Sequence, residues 1–430
     1  MAASRLVSLA EKIIKPNCPT PFSLGRYNLS INDQIMVPVF NSIAAFYPFP
    51  SKTPQQVSNI IEKSLSKVLS SYYPFAGTLR DNTFVDCNDR GAKFTNVRYD
   101  CPISEVVNLP DTSPEYLPFP KGIPGGLTLN EENLLFVQLS HFNCGGLAIG
   151  ASLSHKIADG CTLANFISDW ASIARDDENA NIPSPQMIGS SIFSPSTDII
   201  HTDTTMVDEI IHNQPSGRKS YLFSNSKLEM LKSQVTSETG VQNPTRLDVL
   251  SALIYKCAAT AARANSSSFK PSLLALAVNL RPILDPPLPT RAIGNMVSYI
   301  KVVTMSEDEM TIGRVVREIR KGKDEVKKED HVKENKLVAL GSELPSITNE
   351  FELYKGGSMC NYPLDNLDFG WGKPSRVTLP VIGIGCSFIL IDSPSGDGIE
   401  AIVALPEKDV TQFENSKELL EFASPITNVN

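Results

Sequence analysis

The sequence reads Ser154-His155-Lys156-Ile157-Ala158-Asp159-Gly160, and this stretch joins a predicted strand to a predicted helix. The apolar residues 147–154 predict a buried strand, and the apolar-rich residues 161–174 predict a helix. At such a junction the side chain of His155 can project into a cleft instead of a packed layer. A neutral imidazole in that position can accept a proton from an alcohol at neutral pH.

By itself the pattern of His155 and Asp159 is a weak signal. A lone histidine is more often a surface or core residue with a satisfied partner. Asp159 stands directly before Gly160-Cys161-Thr162, where a carboxylate is suited to cap the first turn of the helix. We therefore interpret His155 as a candidate general base and Asp159 as a structural residue.

Helix and strand patterns alternate along the chain and predict a mixed α/β protein in two halves. The stretch 179–215 is rich in proline, serine and aspartate and predicts a crossover between the halves. We place one lobe at 1–195, the crossover at 196–219 and the second lobe at 220–430. The other predicted elements are helices at 53–69, 245–264 (N-cap Thr245) and 314–336, and strands at 134–139, 273–280, 381–392 and 399–405, with a turn at 143–146.

Composition excludes several classes of function. The chain has 430 residues, 41% of them hydrophobic, and a formal net charge of −8, which disfavours a nucleic-acid partner. No N-terminal signal is recognisable, and the longest apolar stretch, 381–391, is too short to cross a membrane. The eight cysteines form no C-x-x-C pair, which favours free thiols. We expect a cytoplasmic protein that does not bind membranes.

Cofactor motifs are also missing from the sequence. No Cys/His cluster has metal-ligand spacing, so we predict no metal. There is no P-loop, no dinucleotide-binding glycine pattern and no nucleophile elbow, so phosphotransfer, hydride transfer and serine hydrolysis lack their sequence signatures.

A second motif, Asp368-Phe369-Gly370-Trp371-Gly372, lies near the end of the chain. Two glycines flank one of only two tryptophans, which predicts a tight loop with close backbone approach. Considered alone, this loop is a structural turn with a buried indole.

The two motifs together resemble the signature of the plant BAHD acyltransferases, in which H-x-x-x-D precedes D-F-G-W-G. The resemblance covers nearly the whole chain, and the sequence is most similar to the group that contains vinorine synthase and salutaridinol acetyltransferase. Further matching segments are Leu29-Ser30-Ile31-Asn32-Asp33-Gln34, Tyr73-Pro74-Phe75-Ala76-Gly77, Val278-Asn279-Leu280-Arg281 and Gly294-Asn295.

The resemblance implies a two-lobed fold like that of chloramphenicol acetyltransferase, with mixed β-sheets flanked by helices and a channel between the lobes. It implies that His155 deprotonates an acceptor hydroxyl, which attacks an acyl-CoA thioester directly. Asp159 would pair with Arg281 and fix the His155 loop. Asp368, Gly370 and Trp371 would support the site from a distance. Acyl-CoA is then a co-substrate, and no metal or redox cofactor is implied.

Departures from the family pattern leave the acceptor open. Residues 292–296 read Ala-Ile-Gly-Asn-Met where anthocyanin acyltransferases carry Tyr-Phe-Gly-Asn-Cys, and Met359 stands where relatives often carry tryptophan. An alkaloid or terpenoid alcohol and a sugar ester both remain possible acceptors. The residues that bind CoA phosphates, the oxyanion donors and the acyl chain length stay undetermined.

The leading hypothesis is an acyl-CoA-dependent O-acyltransferase that acts as a monomer on a small plant metabolite. One alternative is a catalytically silent ligand-binding or interaction protein on the same fold, although the intact His155 argues against it. A third possibility is a hydrolase or condensation-type enzyme that uses the same histidine.

Overall fold

The structure is a computed structural model. It describes residues 6–48, 50–107, 119–120, 132–175, 184–196, 217–266, 269–328, 351–380 and 386–426. The strands in these ranges are β1 (Leu6–Ile14), β2 (Arg26–Asn28), β3 (Phe40–Tyr47), β4 (Thr78–Arg80), β5 (Phe84–Asp86), β6 (Ala92–Tyr99), β7 (Leu135–Phe142), β8 (Leu147–Ser154), β9 (Gly217–Ser224), β10 (Ser272–Asn279), β11 (Val297–Thr304), β12 (Glu352–Ser358), β13 (Arg376–Thr378), β14 (Cys386–Asp392), β15 (Gly398–Leu405) and β16 (Ser424–Pro425).

The α-helices of the same ranges flank these strands. They are α1 (Ile31–Ile35), α2 (Pro54–Ser71), α3 (Ile103–Val107), α4 (Gly160–Arg175), α5 (Gly189–Ile192), α6 (Asn225–Thr239), α7 (Arg246–Ala264), α8 (Ile312–Val326), α9 (Glu407–Glu414) and α10 (Lys417–Phe422).

Two large mixed sheets organise the molecule. The first has the order β1-β6-β7-β8-β3-β13, and only its β6–β7 pair is parallel. The second has the order β11-β10-β12-β14-β15-β9-β16, with parallel pairs on both sides of β12. Each sheet carries its own hydrophobic core, so the predicted mixed α/β fold is confirmed.

The helices begin where the sequence supplies caps. Thr53 caps α2 in a reciprocal capping box with Gln56, and Pro54 occupies the first turn, where its missing N–H costs nothing. Thr245 caps α7 in the same way with Asp248, as predicted. Such caps satisfy backbone N–H groups that have no partner within the helix.

Helices α2 and α4 pack together over the first sheet. The Tyr72 hydroxyl donates to Asp169 Oδ2 at 2.7 Å, and Trp170 Nε1 donates to Ser64 Oγ at 2.9 Å. Tyr72 and Trp170 are fully buried, so these bonds fix α4 and hence the position of its first turn.

The C-terminal half returns to the first sheet. Strand β13 pairs antiparallel with β3, and Leu367 and Phe369 are buried in the first core. The division at 1–195, 196–219 and 220–430 remains a prediction, but the described strands modify it in two places. Residues 376–378 belong spatially to the first lobe, and β9 already begins at Gly217, inside the predicted crossover.

Two other predicted elements extend beyond the described residues, and one of them also differs in its bounds. The charge pattern predicts a helix at 314–336; residues 329–336 lie outside the described part of the chain, and the described helix α8 ends at Val326. The apolar face that packs α8 on the second core ends with that residue, and the next residues are charged. The expected strand at 381–392 is described only from Cys386 onward, since residues 381–385 lie outside the described part of the chain.

Candidate active site

His155 is the first residue after β8, at the predicted strand–helix junction. Its N–H donates to the carbonyl of Val39 at 2.8 Å, and its carbonyl accepts from Asn295 Nδ2 at 2.7 Å. The two peptide groups that flank His155 are therefore hydrogen bonded to two different segments of the chain. The side chain is partly exposed, while its Nδ1 is buried without a hydrogen-bond partner among the described residues.

The surroundings keep this imidazole neutral. Burial lowers the pKa of His155 below its usual value, because a charged ring loses solvation. Its own backbone carbonyl, the charge of Asp159, the Asn295 side chain and the charge of Asp33 act in the opposite direction. The net lowering leaves a neutral ring at pH 7, the form that can accept a proton.

Asp159 and Arg281 form a buried ion pair. Arg281 Nη1 donates to Asp159 Oδ2 at 2.7 Å and Nη2 donates to Oδ1 at 3.1 Å, with side-chain exposures of only 1% and 2%. Asp159 also accepts from the backbone N–H groups of Thr162 at 2.8 Å and Met296 at 3.0 Å. The carboxylate thus caps α4, as the sequence predicted, and ties it to the segment before β11.

Arg281 is satisfied by more than its carboxylate partner. Its Nη2 also donates to the carbonyl of Ala292 at 2.8 Å, to the carbonyl of Gly294 at 3.3 Å and to Thr162 Oγ1 at 3.0 Å. Two elements far apart in sequence are joined by this one side chain, directly beside the His155 turn.

The loop at 368–372 is organised by Asp368. Its Oδ1 accepts from the N–H groups of Gly370, Trp371 and Gly372 at 2.8, 3.1 and 2.9 Å. Both glycines have φ of +102°, which favours a residue without Cβ. Burial would raise the pKa of Asp368, but these bonds and the charge of Arg175 lower it overall.

The two motifs lie at opposite ends of α4. Arg175, its last residue, donates to the Asp368 carbonyl at 3.2 Å, whereas Asp159 caps its first turn. A helix of 16 residues is about 24 Å long. Trp371 stacks on Phe369 with ring centroids 5.9 Å apart, and Phe369 packs edge-on against Trp170 at 5.1 Å. The structure therefore brings His155, Asp159 and Arg281 together and places the 368–372 loop elsewhere.

Three polar residues near His155 were not recognised as site residues from the sequence. Asn295 and Asp33 are fully buried and hydrogen bonded to each other, and Lys156 is 1% exposed with Nζ 2.8 Å from the carbonyl of Gln34. The segments Asn32-Asp33 and Gly294-Asn295 were noticed only as parts of a resemblance. Lysine is usually a surface residue, so the sequence did not indicate that Lys156 is buried.

A second histidine, His141, is buried on β7 with 8% exposure. Burial, together with the charge of Arg98, lowers the pKa of its imidazole to about 4. His201, His212 and His331 lie outside the described residues.

A cavity of about 580 Å³ adjoins the first turn of α4. Its walls include Met359, Tyr362, Lys373, Arg246 and Asp392. A Cβ on Gly160 would lie 2.5 Å from Met359 Sδ and 3.9 Å from Tyr362 Cε2, so the cavity wall touches the helix that Asp159 caps. Lys373 and Arg246 supply positive charge, and Asp392 lies 4.0 Å from Arg246.

The described residues contain no group of three His, Cys, Asp or Glu side chains arranged to hold a metal ion. None of their helices combines the length and apolar character needed to cross a membrane. All eight cysteines lie in the described ranges and are free thiols.

The fold and the site define the class of the protein. The crystal structure of vinorine synthase matches the chain with a TM-score of 0.80 and 30% identity, covering 97% of this chain and 99% of that chain. This match confirms the two-lobed α/β fold of acyltransferases.

Sequence relatives give the family. Acylsugar acyltransferase 3 of Solanum lycopersicum is 40% identical, with 99% of each chain covered. Deacetylvindoline O-acetyltransferase of Catharanthus roseus is 36% identical, with 97% of each chain covered. The model of the Transferase family matches residues 7–420, so the chain belongs to this family, the BAHD acyltransferases. It is an acyl-CoA-dependent acyltransferase, as the motifs predicted.

Proposed function

We propose that the protein esterifies a hydroxyl of a plant specialised metabolite with an acyl group from acyl-CoA, and that His155 is the general base. The observation that carries the proposal is the environment of His155. Both of its peptide groups are hydrogen bonded, and burial keeps the ring neutral. It lies directly before the first turn of α4, which the Asp159–Arg281 ion pair holds in place.

The reaction is a direct transfer. A ring nitrogen of His155 takes the proton from the acceptor hydroxyl while the oxygen attacks the thioester carbonyl. The tetrahedral intermediate collapses, the C–S bond breaks, and the leaving CoA thiolate takes the proton from the imidazolium. Holding both substrates in one site makes the attack effectively unimolecular.

A covalent acyl-enzyme is not part of this route. Cys161 is the cysteine closest in sequence to His155, and burial raises the pKa of its thiol to about 11. A protonated thiol is a poor nucleophile.

The donor needs positive charge for its phosphates, against a net protein charge of −8. Arg246 and Lys373 line the cavity beside α4, and we place the phosphate end of acyl-CoA there. Asp159, Arg281, Asp368, Gly370 and Trp371 are then structural supports, and no metal or redox cofactor takes part. A channel between the lobes would bring the acceptor to His155.

The acceptor belongs to one of two chemical classes. Relatives are named for acylsugar and deacetylvindoline acylation, so sugar esters and alkaloid or terpenoid alcohols are the acceptors to test. We further propose a cytoplasmic monomer, which fits the free thiols.

The test uses wild type, His155→Ala and the control His141→Ala, which removes a buried histidine of the same sheet. Each receives acetyl-CoA or isobutyryl-CoA with alkaloid, terpenoid, phenolic and sugar-ester acceptors. Thiol release and product mass are recorded. We expect an ester from wild type and control, and a loss of about 100- to 10,000-fold in kcat for folded His155→Ala.

Other outcomes identify the alternatives. Comparable activity of His155→Ala contradicts the base assignment. Release of CoA without an acceptor indicates a hydrolase. Acyl-CoA binding without turnover across the panel indicates an acceptor outside the panel, and the absence of acyl-CoA binding favours the catalytically silent protein.

A further inference from the structure

Asn295 connects a buried carboxylate to the peptide of His155. It follows Gly294, whose φ of +113° turns the chain toward Asp33. The backbone N–H and Nδ2 of Asn295 each donate to Asp33 Oδ1 at 2.8 Å, and Nδ2 also donates to the His155 carbonyl at 2.7 Å. The side chain is completely buried.

The orientation of this amide is decided by its partners. Both groups that contact Nδ2, a carboxylate and a carbonyl, are acceptors, so the oxygen cannot take the place of the nitrogen. Asn295 Oδ1 is therefore left facing away from Asp33. It is buried and has no hydrogen-bond partner among the described residues.

The second buried atom without a partner in this region is Nδ1 of His155. The imidazole and the amide are already joined through the His155 carbonyl. Buried polar atoms are paired in the great majority of cases, and an unpaired one costs about 1–3 kcal/mol. Nδ1 and Oδ1 form a complementary donor and acceptor, both unsatisfied, on two residues in direct contact.

We propose that Asn295 is a positioning residue for the transfer reaction, whose Oδ1 accepts a hydrogen bond from the protonated Nδ1 of His155. This inference rests on the proposed role of His155 as the base. The two atoms do not form a hydrogen bond in this structure; in the proposed active state a rotation of the imidazole ring completes it.

The consequence is a fixed tautomer. An amide oxygen only accepts, so it satisfies the imidazole only when Nδ1 carries the hydrogen and Nε2 carries the lone pair. Nε2 is then the atom that takes the hydroxyl proton. As the ring becomes positive, the bond from Nδ1 to Oδ1 becomes charge-assisted and stronger. The amide passes no proton onward, and the proton stays on Nε2 until the CoA thiolate removes it.

Asp33 strengthens this arrangement from behind the amide. Its carboxylate accepts four hydrogen bonds, two from Asn295 and two from the N–H and Oγ of Ser30, at 2.9 and 2.7 Å. The negative charge polarises the Asn295 amide and makes Oδ1 a better acceptor. Asp159 is the other carboxylate whose charge acts on the imidazole. The competing acceptor for Nδ1–H is the carbonyl of His155 itself.

The experiment is ¹⁵N NMR of histidine side chains, which distinguishes a protonated ring nitrogen from an unprotonated one. The chain has only five histidines, and the spectrum of His155→Ala assigns the signal of His155. In wild type at pH 7.5 we expect protonated Nδ1 and unprotonated Nε2. The opposite assignment overturns the proposal without any variant.

Asn295→Ala then separates Asn295 from the competing carbonyl. We expect mixed tautomers and a kcat lower by about 10- to 100-fold, with an unchanged KM for acyl-CoA. Asn165→Ala is the matched control, because it removes another buried amide, bonded to the Thr290 carbonyl at 2.8 Å, without touching His155. The control should retain the wild-type tautomer and kcat.

A single Nδ1–H tautomer that persists in folded Asn295→Ala assigns the role to the His155 carbonyl and contradicts the proposal. The tautomer measurement needs no turnover. An active His155→Ala variant therefore refutes the base assignment separately, whatever the NMR spectra show.

Discussion

Arg281 donates two hydrogen bonds to the carboxylate of Asp159, at 2.7 and 3.1 Å, although 122 positions separate the two residues in the chain. The pair joins the first turn of α4, in the first lobe, to the segment after β10, in the second. Because both side chains are buried, neither charge can turn to solvent when its partner is lost. The pair therefore couples the stability of the lobe interface to the geometry of the His155 turn.

Removing one partner should be costly. We expect Arg281→Met to lower the free energy of unfolding by about 3–5 kcal/mol, because Asp159 remains as an uncompensated buried charge. Urea denaturation at pH 7.5 measures this change. The double variant Arg281→Met with Asp159→Asn removes both charges and should be less destabilised than the single one. If the free energy of unfolding of Arg281→Met lies within about 1 kcal/mol of the wild-type value, the ion pair does not stabilise the interface as described.

The 368–372 loop should affect stability more than chemistry. Asp368→Ala removes the acceptor of three backbone N–H groups, and we expect a loss of about 1–3 kcal/mol in the free energy of unfolding. Asp368→Asn keeps an oxygen acceptor and should lose less. Since this loop lies at the far end of α4 from Asp159, the folded fraction should keep most of its kcat.

Kinetics normalised to folded protein, from near-UV circular dichroism, test this separation. A selective collapse of kcat in well-folded Asp368→Asn, with its unfolding free energy intact, would mean that Asp368 acts on the reaction and not only on its own loop.

The sequence predicted those parts of the site that depend on local pattern. The strand before His155, the helix after it and the Asp159 cap all follow from short-range periodicity and capping chemistry, and the structure contains them. The pairing of Asp159 with Arg281 came only from a family resemblance. No local rule connects residues so far apart.

The remaining features depend on tertiary contacts. Asn295 meets Asp33 across 262 positions, and Lys156 is buried because it reaches the carbonyl of Gln34. A short segment such as β13 carries too little periodicity to show that it crosses back to β3. Likewise, Lys327 and Lys328 continue the charged pattern of α8, but they add no apolar residue to the face that packs on the second core.

The acid sensitivity of the fold should come partly from His141. Its pKa is about 4 in the folded protein, because burial and Arg98 disfavour the charged ring, against 6.5 in the unfolded chain. A depressed histidine pKa means that only the unfolded chain binds the proton between these values. Stability is therefore unaffected above pH 6.5 and is lost as the pH falls toward 4. One pKa unit corresponds to about 1.4 kcal/mol, so protonation of His141 in the unfolded chain lowers the free energy of unfolding at pH 5 by about 2 kcal/mol.

His141→Gln removes this titration while keeping a polar group near Ser58 Oγ, which lies 3.5 Å from His141 Nε2. Unfolding free energies of wild type and variant are compared at pH 7.5 and pH 5. Whatever the substitution costs at pH 7.5, the difference should shift by about 2 kcal/mol in favour of the variant at pH 5. His155 still titrates in both proteins, so its effect cancels in the comparison. A difference that is the same at both pH values would mean that His141 is protonated in the folded protein or solvated, and that another group controls the acid limit.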